Sequence, residues 1–263
     1  MKKNALMILA ALLVGSVAYA QAGLPPGPGR GPHGFGPEGH GFGMWKVVTG
    51  APYSADVSDQ SVETLADGNT IQRSTTGHVA RDSQGRTYVQ QTITGGPLTQ
   101  DGPKTITFIS DPVAGYSYVL NANTKTAMRR AIKTPPAGAN PPRPNAGTRP
   151  DSANRVETDL GTQTISGVTA QGKSVTHTIP AGAMGNSQPI VSTSQTWYSP
   201  DLQIPVSSTR TDPRSGKSTY NVTNIQRGEP PASLFQAPSD YTIQDAPAMR
   251  GPRGGPRFQG PVQ

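Results

Sequence analysis

The chain has 263 residues, no cysteine, 31 glycines and 27 prolines, and a formal net charge of +7. The absence of cysteine excludes disulfides and a lipid-modified cysteine. Most of the excess positive charge lies in the N-terminus and in Gly/Pro-rich segments, so the remaining core is close to neutral. It therefore lacks the basic patch expected of a specific nucleic-acid binder.

Residues 1–20 have the features of a cleaved export signal. Lys2 and Lys3 precede an apolar run, and Ala18-Tyr19-Ala20 offers small residues at the positions that a signal peptidase reads. The apolar run is shorter than the roughly 20 residues of a membrane span. We therefore expect cleavage near Ala20 and a periplasmic or secreted protein.

Three further segments are rich in glycine and proline and poor in apolar residues: 21–44, 134–155 and 246–263. Ordering them would cost more conformational entropy than their contacts return, so we expect them to be disordered. The remainder, 45–245, is predicted to be a single antiparallel β domain with 134–155 as a loop. A linker between two domains is the alternative for 134–155.

Before this loop, short turns separate strand-like runs. Asp67-Gly68-Asn69 predicts a hairpin, and Asp111-Pro112-Val113-Ala114-Gly115 predicts a turn into a strand whose Tyr116, Tyr118 and Leu120 share one face. The connections are too short for parallel crossovers, which indicates an antiparallel meander. No apolar period of 3.6 persists for three turns, so little helix is expected.

After the loop, residues 160–168 are predicted to form a strand that Gln171-Gly172-Lys173 turns back. Val175, His177 and Ile179 then share one face of the returning strand. Residues 189–197 are the next predicted strand.

The closing stretch, residues 197–243, carries the clearest signals. Leu202, Ile204 and Val206 alternate with polar or proline positions, and a turn at residues 212–216 joins them to a partner strand that contains Tyr220 and Val222. Pro230-Pro231 ends that partner strand. Leu234 and Phe235 follow as an apolar plug.

Motifs for chemistry are missing from the sequence. Ser117 lies in Gly115-Tyr116-Ser117-Tyr118-Val119, which lacks the second glycine of a nucleophile elbow. His78 and His177 are accompanied by no nucleophile motif, and His33 and His40 have no cysteine or carboxylate cluster that would complete a metal site. We predict no catalytic residue, no metal and no cofactor.

Two resemblances are carried by particular segments. Residues 77–86, 111–120 and 179–183 resemble an uncharacterised family of exported proteins of acidobacterial type. More remotely, the segment from Trp197-Tyr198-Ser199-Pro200-Asp201 to Tyr241 is similar to the closing part of the periplasmic lipoprotein-carrier superfamily. That similarity implies an all-β fold, a curved antiparallel sheet in the form of an open half-barrel, whose concave face holds acyl chains.

These observations favour an exported, non-enzymatic envelope protein that binds a lipid or other apolar ligand on its concave face. A structural or interaction protein acting through its Gly/Pro/Arg-rich segments is the alternative, and a hydrolase is the third. Arg250, Arg253 and Arg257 are predicted to contact an anionic surface. The candidate ligand-binding residues are the apolar faces of three predicted strands: Tyr116, Tyr118, Leu120, Val175, Ile179, Leu202, Ile204 and Val206.

Overall fold

Most of the described residues lie in β-strands, as the alternation of apolar and polar side chains predicts. The computed structural model describes residues 47–96, 99–132 and 154–246. The predicted signal, the segment 21–44, most of the loop 134–155 and nearly all of the tail lie outside these ranges. The strands are β1 (Tyr53–Thr64), β2 (Thr70–Arg81), β3 (Thr87–Thr94), β4 (Lys104–Asp111), β5 (Tyr116–Asn121), β6 (Thr126–Ala131), β7 (Arg155–Ile165), β8 (Val168–Ile179), β9 (Ile190–Ser199), β10 (Ile204–Asp212), β11 (Gly216–Arg227) and β12 (Thr242–Asp245).

All twelve strands belong to one open sheet with the order β12-β6-β5-β4-β3-β2-β1-β11-β10-β9-β8-β7. Neighbours are antiparallel, except that β12 runs parallel to β6. A 3-10 helix, Ala232–Phe235, lies between β11 and β12. Within the described ranges no helix is long and apolar enough to cross a membrane. The expected fold class, an open and mainly antiparallel sheet with little helix, is confirmed.

Two local predictions were wrong. The chain turns back at Ser166 and Gly167, whose φ angles are 49° and 81°, and not at residues 171–173. Gly172 lies inside β8, where an added Cβ would be 2.5 Å from the Trp197 ring. The absence of a side chain at Gly172 therefore makes room for the Trp197 ring and does not mark a turn. Leu202 lies in the turn before β10, not in the strand itself.

From β1 to β6 the register has no bulge, so the residues on each face follow directly from the pairing. We call one face the inner face; it carries the cross-strand row Ala55, Val79, Val89, Phe108, Val119 and Met128. We call the other the outer face; it carries the row Ala80, Tyr88, Ile109 and Tyr118.

The sheet curves back on itself beyond β11. The Ser166 hydroxyl donates a hydrogen bond of 2.8 Å to the Val222 carbonyl, although β8 is three strands away from β11. In a flat sheet these strands would be about 14 Å apart. The β7–β8 end of the sheet is thus folded toward β11, and Val168 and Ala170 of β8 join the inner-face core.

Each face has its own apolar cluster. The inner core combines Val57, Val79 and Val89 with residues of β8, β10 and β11. The outer cluster contains Ile109, Leu120 and Ala127, with Ala237 and Tyr241 of the closing segment packed against it. The segment after β11 therefore crosses the outer face before it adds β12 to the edge.

Candidate functional site

The eight predicted ligand-binding residues fall into three groups. Ile204 and Val206 are 7% and 0% exposed, and with Leu202 they form part of the inner core. On the outer face, Leu120 belongs to the outer cluster, and Tyr118 packs against that cluster, as the closing segment does. Tyr116, on the same face, is 4.9 Å from the Arg129 guanidinium, measured to its ring centroid.

Val175 and Ile179 occupy the half of β8 that lies beyond the inner core. Both are half-buried, and they pair with Ser194 and Ile190 of β9. The structure thus does not assemble the eight residues into one groove. Five of them take part in the two apolar clusters, where protein side chains already cover them.

A different set of apolar residues is open on the inner face. The row of directly paired residues begins in the core, where Val89 is 5% exposed, and continues through a half-buried Phe108. It ends at Val119 and Met128, which are each 43% exposed. This inner-face row (Phe108, Val119 and Met128) is therefore an apolar strip that is continuous with the core at one end and faces solvent at the other.

The inner-face row was missed because Val119 is the one apolar residue on the inner face of β5, between Ser117 and Asn121. Tyr116, Tyr118 and Leu120 are larger than Val119, so the alternation favoured them as the ligand face. Pairing Val119 with Met128 and Phe108 was the signal that could have identified the row. That pairing depends on register, which the sequence of β5 alone does not contain.

Buried Arg81 holds the core end of the inner face in place. Its guanidinium donates to the carbonyls of Ala51 and Leu202 and lies 4.9 Å from the centroid of the Tyr53 ring. Burial lowers the pKa of Arg81 and raises that of Tyr53. Arg81 therefore ties β2 to the turn that presents Leu202, and all its described contacts are structural.

The outer face carries a small polar cluster around Asp56. Its carboxylate lies 3.0 Å from His78 Nδ1 and accepts a hydrogen bond of 2.8 Å from Asn224. The Asn224 and His78 hydrogen bonds lower the pKa of Asp56. Among the described residues, His78 hydrogen bonds to Asp56 alone, so no nucleophile contacts the imidazole and the cluster lacks the third member of a hydrolytic triad.

Two grooves lie away from the inner-face row. One, of about 400 Å³, adjoins the β10–β11 turn and includes Glu63, Asp212, Arg214 and Lys217, whose charges cancel. The other, of about 230 Å³, lies beside Leu202 and the Asp201–Arg227 ion pair. Within the described ranges, no three histidine or acidic side chains come together as metal ligands.

Fold and site together define an open, curved antiparallel sheet with an exposed apolar strip on its inner face. No protein-family model matches the chain, and no curated protein matches it. Solved structures that are similar to it include the MucA/MucB complex of Pseudomonas aeruginosa, at 11% identity and a TM-score of 0.38, where the match covers 74% of this chain and 58% of that chain. The present chain thus spans little more than half the length of that relative.

Two shorter structures are matched over most of their length. Lipoprotein LppX of Mycobacterium tuberculosis is 14% identical with a TM-score of 0.29, and the match covers 69% of this chain and 87% of that one. A LolA superfamily protein of Nitrosomonas europaea is 10% identical with a TM-score of 0.26, over 70% and 90%. Proteins of the kind that the sequence resemblance implied are thus among the solved structures similar to this chain, at low identity and low TM-score.

Proposed function

We propose that this chain is a non-enzymatic, exported envelope protein that binds an acyl chain or a comparable apolar ligand on the inner face of its sheet. The observation that supports the proposal most is the inner-face row, which leaves Val119 and Met128 exposed beside a buried core. Location in the envelope rests on the export signal predicted at residues 1–20. Membership of an acidobacterial type of exported family likewise stays a prediction.

Burial of methylene groups supplies the binding energy in this proposal. Each methylene removed from water contributes about 0.8 kcal/mol. Association costs several kcal/mol of lost translational and rotational freedom, so a short chain would bury too little surface to compensate. We expect ligands with roughly ten or more carbons in an unbranched chain.

Titration with a fluorescent long-chain fatty acid tests this site. Val119→Glu places a charge in the middle of the inner-face row and should weaken binding at least about tenfold, since one charged group disrupts the apolar contact. Val113→Glu is the matched control, because Val113 is 64% exposed in the β4–β5 turn and lies off the row. Ile204→Glu is unsuitable, because it would bury a charge in the inner core.

Saturable binding by the wild type and the Val113 variant, with loss in the Val119 variant, is the expected result. Absence of saturable binding by the wild type would overturn the proposal. Equal binding by all three proteins would place the ligand elsewhere and contradict the assignment to the inner-face row.

The alternative, an interaction protein that acts through its Gly/Pro/Arg-rich segments, concerns residues outside the described ranges. It remains a prediction from the sequence. The hydrolase alternative gains no support from the Asp56–His78 pair, because the pair has no nucleophile in contact within the described chain.

A further inference from the structure

We infer that the ligand of the inner face is an anionic amphiphile whose negatively charged head group is bound by Arg130. This inference rests on the proposed function and adds the chemical class of the ligand. It is carried by the position of Arg130, by the charges that share its face, and by the contrast with Arg129.

Arg130 lies on the inner face, two residues beyond Met128 on β6. Residues two apart on a strand point to the same side and are separated by about 7 Å. An acyl chain that lies along the inner-face row can therefore end beside the Arg130 guanidinium. Arg130 pairs with Ser117 on the neighbouring strand, whose hydroxyl donates a hydrogen bond of 3.4 Å to the Arg130 carbonyl.

The charges on this part of the inner face all have one sign. By the register, the inward positions of β4, β5 and β6 include Lys104 and Arg130 and no carboxylate. The acidic residue of β4, Asp111, pairs with Tyr116 on the outer face. A negatively charged head group beside Arg130 would consequently meet that cation and no repelling charge, whereas Lys104 lies about 20 Å away along the strand direction, because Arg130 is level with Ser110.

Arg129 and Arg130 are adjacent in β6, but they lie on opposite faces of the sheet and differ in their contacts. Arg129 points to the outer face, where it donates to both oxygens of Asp245 at 2.8 and 3.2 Å and lies over the Tyr116 ring. In the described part of the chain, the Arg130 guanidinium is exposed and makes no hydrogen bond or ion pair. The outer-face arginine is committed to holding β12, and the inner-face arginine is available for a ligand.

A guanidinium binds a carboxylate or phosphate through paired, charge-assisted hydrogen bonds. A free fatty acid and an anionic phospholipid share that chemistry, so the two sources need separate arms in the experiment. An uncharged amphiphile of the same chain length would keep the apolar contact and lose the head-group bond.

The test compares a fluorescent fatty acid with its uncharged alcohol analogue on the wild type, Arg130→Gln and Lys104→Gln. The Lys104 variant removes the same charge from the same face at four residues from Phe108, and it serves as the control for the general field. Arg130→Gln should weaken binding of the acid about tenfold and leave binding of the alcohol unchanged, whereas Lys104→Gln should change the acid's affinity by less than about threefold. Competition with a soluble short-chain phosphatidylglycerol then tells a phospholipid ligand from a free fatty acid.

Equal affinity of the wild type for the acid and the alcohol would overturn the inference while leaving the proposed function intact. An equal loss in the Arg130 and Lys104 variants would also overturn it, because the charge would then act at a distance. Failure of the wild type to bind either probe would instead count against the proposed function itself. A charge reversal, Arg130→Glu, should shift the preference to an alkylammonium probe, and no shift would contradict a direct head-group contact.

Discussion

At the scale of single residues, the same Asp-Pro-x-x-Gly turn occurs twice, with its aspartate buried to different degrees. Asp111 and Asp212 each begin an Asp-Pro-x-x-Gly turn, and each carboxylate accepts backbone N–H groups two or three residues ahead. Asp212 is 2% exposed and also accepts hydrogen bonds from the Arg214 side chain at 3.0 and 2.9 Å. The Arg214 hydrogen bonds, with a smaller contribution from the charge of Arg210, lower the pKa of Asp212 to about 2.

Replacing Asp212 by Asn should destabilise the protein by about 1.5–3 kcal/mol at pH 7, the usual contribution of hydrogen bonds to a charged group. The amide can still accept from the Arg214 backbone N–H, but it loses the ionic bonds to the guanidinium. Asp111→Asn is the matched control, since it changes the same turn where no arginine binds the carboxylate. Denaturant unfolding of both variants measures the difference.

The pH dependence has a defined sign. Because the folded pKa of Asp212 is depressed below the ordinary value of 3.8, its contribution is complete above about pH 4 and is lost as the pH falls toward 2. The gap in unfolding free energy between the wild type and Asp212→Asn should therefore close across that window. A gap that stays constant from pH 7 to pH 2 would mean that ionisation of Asp212 does not contribute.

At the scale of elements, the closing segment acts as a cover for the outer face. Phe235 is 1% exposed, and the Arg86 guanidinium lies 5.3 Å from the centroid of its ring. Arg86 is itself oriented by Asp82, a buried carboxylate that also accepts the backbone N–H groups of Gln84 and Arg86. The β2–β3 turn and the 3-10 helix thus stabilise each other.

Phe235→Ala should destabilise the fold by about 3–5 kcal/mol, the usual cost of emptying a buried aromatic site. Leu234→Ala is the comparison, because Leu234 is only half-buried and its removal should cost less. Denaturant melts give both values. A loss below about 1 kcal/mol for Phe235→Ala would show that the closing segment does not depend on this ring.

Much of this element order could be predicted from the sequence, because hairpins are local. Alternation in β10 and β11 and the turn at residues 212–216 indicated their pairing, and Pro230-Pro231 indicated the end of β11. The turn predicted at Gly172 was wrong because a glycine in a strand can mark either a turn or a close contact. The Trp197 ring that explains this glycine comes 25 positions later in the chain. The parallel pairing of β12 with β6 is likewise set by long-range docking.

The candidate site was less predictable than the fold for the same reason. Sequence alternation identified apolar faces on single strands, but it could not say which faces the chain would cover with its own residues. Leu120, for example, is covered on the outer face by a cluster against which Ala237 and Tyr241 of the distant closing segment pack. Val119 and Met128 became candidates only through the register of three strands.

At the scale of the whole molecule, the excess positive charge lies in the N-terminus and the Gly/Pro-rich segments, and the tail carries three of the arginines. Arg250, Arg253 and Arg257 lie outside the described ranges, and the rest of the core is nearly neutral by composition. The last described hydrogen bond of the closing strand joins the Ala246 N–H to the Arg129 carbonyl. A truncation that begins at residue 247 consequently leaves β12 complete.

Deleting residues 247–263 should leave the unfolding free energy and fatty-acid binding unchanged but weaken adsorption to vesicles that contain phosphatidylglycerol. The physical reason is the loss of three arginines, whose attraction to an anionic surface acts over about 10 Å at 0.1 M salt and fades as salt is added. Cosedimentation at low and high salt measures the effect, and replacing the three arginines by glutamine in the full-length chain separates charge from length.

If the truncated, substituted and wild-type proteins adsorb equally at low salt, the tail is not the anion-binding element and the inner-face cations become the first alternative. Loss of adsorption on truncation but not on substitution would instead assign the contact to the uncharged residues of the tail.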